Sequence, residues 1–170
     1  MPRPTRIRRD FVEEFGDAYQ HFGLPRLMGH IVGLLLYESG PVSLDDITST
    51  LHVSKGPVSQ ITRRLSENGL IRKVWIPGSR RVHYQAEDEI FGRAFARHAG
   101  LLAQNRVLAG RFRNRLDQAE DDVPEHFQRR IQEMYSFYEL MEGHLQCFLE
   151  AWRQRRRELV RSWSEDDQNA

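Results

Sequence analysis

Apolar residues recur at steps of three and four over most of the chain and give way to a short alternating stretch near the middle, which predicts a mainly helical protein with one small β-hairpin. Phe11, Phe15, Ala18 and Phe22 mark the stripe of a first amphipathic helix, stopped by Gly23 and Pro25. Leu27 to Tyr37 is apolar nearly all round, so a buried helix is expected there, ending at Ser39, Gly40 and Pro41. Ser43 suits an N-cap, with Asp45 and Asp46 complementing the positive end of a short helix whose inner face is Leu44, Ile47 and Leu51. Across His52 and Val53 a second N-cap, Ser54, opens a helix carrying Val58, Ile61 and Leu65 on one side and ending at Asn68 and Gly69, a left-handed cap position.

Leu70 to Trp75 and Arg81 to Gln85, separated by Pro77, Gly78 and Ser79, read as the hairpin, with Val82 and Tyr84 on one face and Trp75 and Tyr84 as core anchors. Two long helices follow, Asp88 to about Leu116 and Pro124 to about Trp163, parted by the acidic break Glu120 to Asp122. In the second, Phe127, Ile131, Met134, Phe137, Tyr138, Met141, Leu145, Phe148 and Trp152 form a stripe longer than a small core can cover. Together with Phe11 and Phe15 it is the expected homodimer interface. The resulting organisation is an N-terminal helix contributing to dimerisation (1–22), a winged helix-turn-helix (23–86), a helical dimerisation region (87–165) and a disordered tail (166–170).

Net charge is only +1, yet its distribution is uneven. Between His52 and Tyr84 stand Lys55, Arg63, Arg64, Arg72, Lys73, Arg80 and Arg81, with Glu67 alone opposing them, the footprint of a polyanion partner or of a solvated face. A single cysteine, Cys147, excludes an intramolecular disulfide and a multi-cysteine zinc site, and suits a reducing cytoplasm. The longest apolar run, Ile31 to Tyr37, is too short for a bilayer, and the arginine-rich start lacks the apolar stretch of a secretory signal.

A short helix, a tight turn, a second helix with a polar outer face and a basic hairpin make up the order of a winged helix-turn-helix. If Val58, Ile61 and Leu65 point inward, Gly56, Gln60, Arg63 and Glu67 turn outward with Ser59 and Arg64 beside them. Arginine pairs with guanine and glutamine with adenine, so Ser59, Gln60, Arg63 and Arg64 are the candidates for major-groove contact, Gln60 and Arg63 for base readout. Ser54, Lys55 and Gly56 start the helix, where N–H groups and the dipole favour phosphate. Arg80 and Arg81 at the hairpin tip suit a narrow minor groove.

These residues resemble the MarR superfamily of winged-helix regulators, in the branch named after GbsR. The shared text is Gly23-Leu24-Pro25-Arg26, Gly29 to Leu35, Val53-Ser54-Lys55-Gly56-Pro57-Val58-Ser59, Leu65, Gly69-Leu70-Ile71 and Pro77-Gly78-Ser79-Arg80-Arg81. The resemblance covers about Phe11 to Gln85 and implies a homodimeric, operator-binding repressor of double-stranded DNA whose action a small ligand relieves or alters. Family members commonly carry Asp before the wing arginine, where this chain has Ser79, which leaves open how the wing guanidinium is oriented.

The aromatic residues Phe11, Phe15, Tyr19, Phe22, Tyr135, Phe137, Tyr138, Phe148 and Trp152 serve core packing or, as the family name suggests, a cage for a quaternary ammonium effector. His144 and Cys147 share a helical face, but two ligands do not make a metal site, and Cys147 is expected to fill space. No nucleophile with a base, no phosphate loop and no paired carboxylates in an apolar setting are present, so neither catalysis nor a cofactor is expected. The rival to DNA binding is a winged-helix module that pairs with proteins; the density of arginine and lysine from 55 to 81 speaks against it.

Overall fold

A computed structural model of the chain describes residues 5–119 and 123–169, with side chains to Glu165. The acidic break at Glu120 to Asp122 lies outside the described residues, as does Ala170 at the end of the expected tail. The order of elements is α1 (Arg6–His21), α2 (Arg26–Tyr37), β1 (Val42–Ser43), α3 (Leu44–Leu51), α4 (Lys55–Glu67), β2 (Ile71–Val74), β3 (His83–Ala86), α5 (Ile90–Asp117) and α6 (Glu125–Asn169). The chain divides after Ile90 into two compact units.

In the first unit, α2 is the central element. Ile31, Val32, Leu34 and Leu35 are buried, and α2 touches α1, α3, α4 and β3. The apolar run predicts this, because a helix without a polar face has to be covered on every side. The face α1 turns to α2 differs from the expected stripe: Val12 and Gly16 are buried, Phe15 and Tyr19 are half-buried, and Ala18 and Phe22 are exposed. The cause is close approach. A Cβ on Gly16 would lie 2.1 Å from the His30 ring, and one on Gly29 2.5 Å from the Phe15 carbonyl oxygen, so only glycine permits the backbones to come this near. At the start of α1, the Thr5 hydroxyl accepts from the Arg8 N–H and lies 2.9 Å from the Tyr37 hydroxyl of α2.

The three strands form an antiparallel sheet in the order β1-β3-β2. The strand β1 adds to the expected hairpin, and its two residues are too few to display a period. Val42 pairs with Tyr84 and Ser43 with His83, and the Leu44 N–H donates to the Val82 carbonyl at 3.0 Å, so the entrance to α3 is bonded to the wing. Tyr84 is buried as expected, whereas Val82 precedes β3 and is exposed. Trp75 is no core anchor. It falls just past the end of β2 and is 79% exposed.

In the second unit α5 and α6 run antiparallel. Phe95 meets Phe148 with ring centroids 4.6 Å apart, Arg106 pairs with Glu142, and the Arg113 guanidinium carbon lies 3.9 Å from the centre of the Tyr135 ring. Gly110 leaves room for that same ring, which a Cβ would approach to 3.3 Å. With 28 residues α5 is about 42 Å long, whereas the 45 residues of α6 reach about 67 Å, so α5 cannot cover all of its partner. The helix does not fray at Ser164; its backbone continues to Asn169, where a disordered tail is expected from residue 166. Among the described residues, no helix is long and apolar enough to cross a membrane.

Candidate nucleic-acid interface

The turn that sets α3 against α4 is made by His52, whose φ of 52° is left-handed, followed by Val53 donating to the Thr48 carbonyl at 3.2 Å. The start of α3 is fixed by a reciprocal cap. The Asp46 N–H donates to the Ser43 hydroxyl at 3.1 Å, and that hydroxyl donates to the Asp46 carboxylate at 2.6 Å. On α4, Val58, Thr62 and Leu65 have no exposed surface, and Ile61 is half-buried. The inner face is therefore centred slightly differently from the expected Val58, Ile61 and Leu65. Thr62 satisfies its hydroxyl by donating to the Ser59 carbonyl at 3.1 Å, which lets a polar residue sit inside.

The consequence for the outer face is small. Ser59, Gln60, Arg63, Arg64, Gly56 and Glu67 are all exposed, so the residues expected to meet bases share the solvent side of one helix. At its N-terminus Ser54, Lys55 and Gly56 are exposed too. Ser54 occupies the N-cap position but makes no side-chain cap hydrogen bond, and a Cβ on Gly56 would touch nothing within 4 Å. The first amide groups of α4 thus lie uncovered by side chains, the arrangement that favours a phosphate oxygen.

The hairpin turns at Gly78, with φ 80°, closed by Ser79 donating to the Ile76 carbonyl at 3.0 Å and by Arg81 N–H donating to the Ser79 hydroxyl at 3.2 Å. Arg80 and Arg81 are both exposed at this tip. Among the described residues, Arg63, Arg64, Lys73 and Arg80 enter no ion pair, so these cations are unneutralised.

The other cations of the basic stretch have partners that lie outside it in sequence. Arg72 reaches the Gln85 side-chain oxygen at 3.1 Å and the Glu87 carboxylate at 3.4 Å, at the base of the hairpin. Lys55 Nζ donates to Asp45 Oδ1 at 2.9 Å, and Arg81 Nε stands 3.6 Å from Asp45 Oδ2. The hydrogen bond and charge of Lys55, aided by the charge of Arg81, hold the Asp45 carboxyl below the ordinary carboxylate range. The wing lacks a carboxylate at Ser79, and one from α3 stands beside Arg81 instead. In sequence Asp45 reads only as a dipole-complementing residue; nothing in the linear pattern joins it to Lys55 or Arg81.

On α6, Phe127, Phe137 and Phe148 are exposed, while Ile131, Met134, Tyr138, Met141, Leu145 and Trp152 are half-buried. On α1, Phe11 is partly exposed and Phe15 half-buried, the two rings 5.3 Å apart. Cys147 is exposed and does not fill a core position. Among the described residues, no three His, Cys, Asp or Glu side chains gather as metal ligands, and His144 Nδ1 bonds to the Leu140 carbonyl of its own helix at 2.9 Å.

Residues 34–83, from the end of α2 through the hairpin tip, match the model of the MarR family. It is 27% identical over 135 residues to the HTH-type transcriptional regulator MmpR5 of Mycobacterium tuberculosis, 79% of each chain. It is 23% identical over 101 residues to the HTH-type transcriptional repressor OpcR of Bacillus subtilis, 57% of this chain and 55% of OpcR. The chain spans about half the length of two of the curated relatives it matches, both from Bacillus subtilis. Among solved structures, the crystal structure of a transcriptional regulator superposes with a TM-score of 0.72 at 26% identity, covering 87% of this chain and 99% of that one.

Proposed function

We propose that a MarR family domain makes this chain a DNA-binding transcriptional regulator, a homodimer that seats its two α4 helices in successive major grooves of an inverted-repeat operator and represses by occupying it. The observation that carries this is the outer face of α4, where Gln60, Arg63 and Arg64 stand exposed, the two arginines free of ion pairs, in the same unit as a hairpin with Arg80 and Arg81 at its tip. In the roles their chemistry suits, Gln60 and Arg63 read base edges, Ser59 and Arg64 flank them, Ser54, Lys55 and Gly56 hold phosphate, and the wing arginines enter the minor groove. The names of MmpR5 and OpcR agree with a regulator, and that of OpcR with a repressor.

Dimerisation supplies the two-fold symmetry that an inverted repeat requires. Its support is the apolar surface that α5 leaves on α6, with Phe11 and Phe15 of α1 as a further contribution. The shared text from Gly23 to Arg81 supports the GbsR-like branch, and a regulator of this kind works in the cytoplasm, where the DNA is. A small effector fits a cavity of about 260 Å³ lined by Arg8, Glu13, His30, Leu34, Leu51 and His52, because a ligand there touches the turn that orients α4. Catalysis has no part in this reading.

The test is a mobility shift on random duplex and on sites selected from a randomised pool, each at several salt concentrations. A regulator gives salt-dependent binding to both and much tighter binding to a two-fold symmetric site with half-sites about one helical turn apart. Absence of salt-dependent binding to any duplex would leave the protein-pairing module as the better reading.

A further inference from the structure

We propose that Asp45 is a specificity-setting residue of the DNA face, holding Lys55 and Arg81 on one carboxylate so that generic duplex is bound less tightly than the charge of this surface allows. The inference rests on the DNA-binding reading above. Its geometry is simple: one carboxylate oxygen is 2.9 Å from Lys55 and the other 3.6 Å from Arg81, and the three groups belong to α3, α4 and the wing. All three are substantially exposed, so water and phosphate can compete for them.

Two cations that suit different parts of a duplex therefore share one anion. Affinity for any duplex grows with the number of phosphates neutralised, each adding about 0.9 to the salt slope. A cation that leaves Asp45 for a phosphate strands a carboxylate beside a polyanion, which cancels part of the gain. Random DNA offers only phosphates and meets this penalty in full. A cognate site adds a narrow minor groove for Arg81, and when Arg81 departs the same carboxylate stays paired with Lys55, whose two other N–H donors reach phosphate, because each cation has its own oxygen. Asp45 thus discriminates without touching a base.

The neighbouring Asp46 provides the control, since it carries the same charge in the same first turn but is engaged by Ser43. Wild type, Asp45→Asn, Asp45→Glu and Asp46→Asn, each checked for native circular dichroism, are titrated with random duplex and with the selected operator across salt. The expected result is that Asp45→Asn tightens random duplex several-fold at low salt and steepens its log–log salt slope by about one, without a matching gain on the operator. Asp45→Glu should keep the wild-type ratio of specific to random affinity. The inference is overturned if Asp46→Asn raises random-duplex affinity as much as Asp45→Asn, or if the ratio for Asp45→Asn equals that of wild type. Those results are distinct from failure of the DNA reading, in which wild type itself shows no salt-dependent duplex binding.

Discussion

Gly29 of α2 lies so close to Gly16 of α1 that a Cβ on Gly29 would stand 2.8 Å from the Gly16 Cα. Alanine normally favours a helix over glycine by up to about 1 kcal/mol. Here it meets backbone that no rotamer change can move, so Gly29→Ala should destabilise the protein by roughly 1–3 kcal/mol. Gly100, on α5 with nothing within 4 Å of its Cβ position, is the contrast: Gly100→Ala should be neutral or stabilising by up to about 1 kcal/mol. Urea unfolding of both variants checks the pair, and a harmless Gly29→Ala would contradict the packing described.

Burial raises the Tyr19 pKa above 10.0. A phenol that ionises later in the folded state contributes stability that is whole below the unfolded pKa and is lost as pH rises through the folded one. Tyr19→Phe has no such group, so the stability difference between wild type and Tyr19→Phe should be flat from pH 7 to 9 and shift against wild type above about pH 10. Denaturation midpoints over that range measure it; a constant difference would show that the hydroxyl is solvated.

Arg63 and Lys55 should fail in different ways. Arg63→Ala removes a group proposed to read a base edge, so it should relax preference at one operator position by about 1–3 kcal/mol and leave random-duplex binding less affected. Lys55→Ala should weaken all duplexes alike, with a salt slope shallower by up to one unit, the full unit requiring that Lys55 exchange Asp45 for phosphate. Binding selections and salt titrations read the two effects, and wild-type behaviour in both variants would displace α4 from the groove.

Phe137 is 56% exposed on α6 and contributes little to a lone chain, so Phe137→Glu should barely change secondary structure. In a dimer the same change buries a charge. The mass by light scattering should therefore fall from twice 20.0 kDa towards 20.0 kDa, and operator affinity should fall with it. A wild-type chain already running at 20.0 kDa would remove the proposed interface.

Much of this was readable in the pattern of residues. The outer face of α4 follows from helical periodicity, and the left-handed cap at Gly69, with φ 67°, follows from the need of such a cap for glycine. The face of α1 was not readable, because periodicity favours large aromatics, and glycine reads as a weak helix former and not as a contact. Trp75 misled for a related reason: the apolar run continues past Val74 to Trp75 and Ile76, but the ladder stops at Val74, and Trp75 falls in the loop, exposed. Asp45 was invisible because its partners are near only after folding.

The two-residue strand β1 has a bearing on the operator. Through Val42↔Tyr84 and the bond from Leu44 to Val82, the helix-turn-helix and the wing hang from one backbone ladder. Their separation is a fixed gauge, since opening it breaks main-chain hydrogen bonds. A duplex that does not match must itself bend or narrow, so operators should be ranked partly by how easily they deform at positions no side chain reaches.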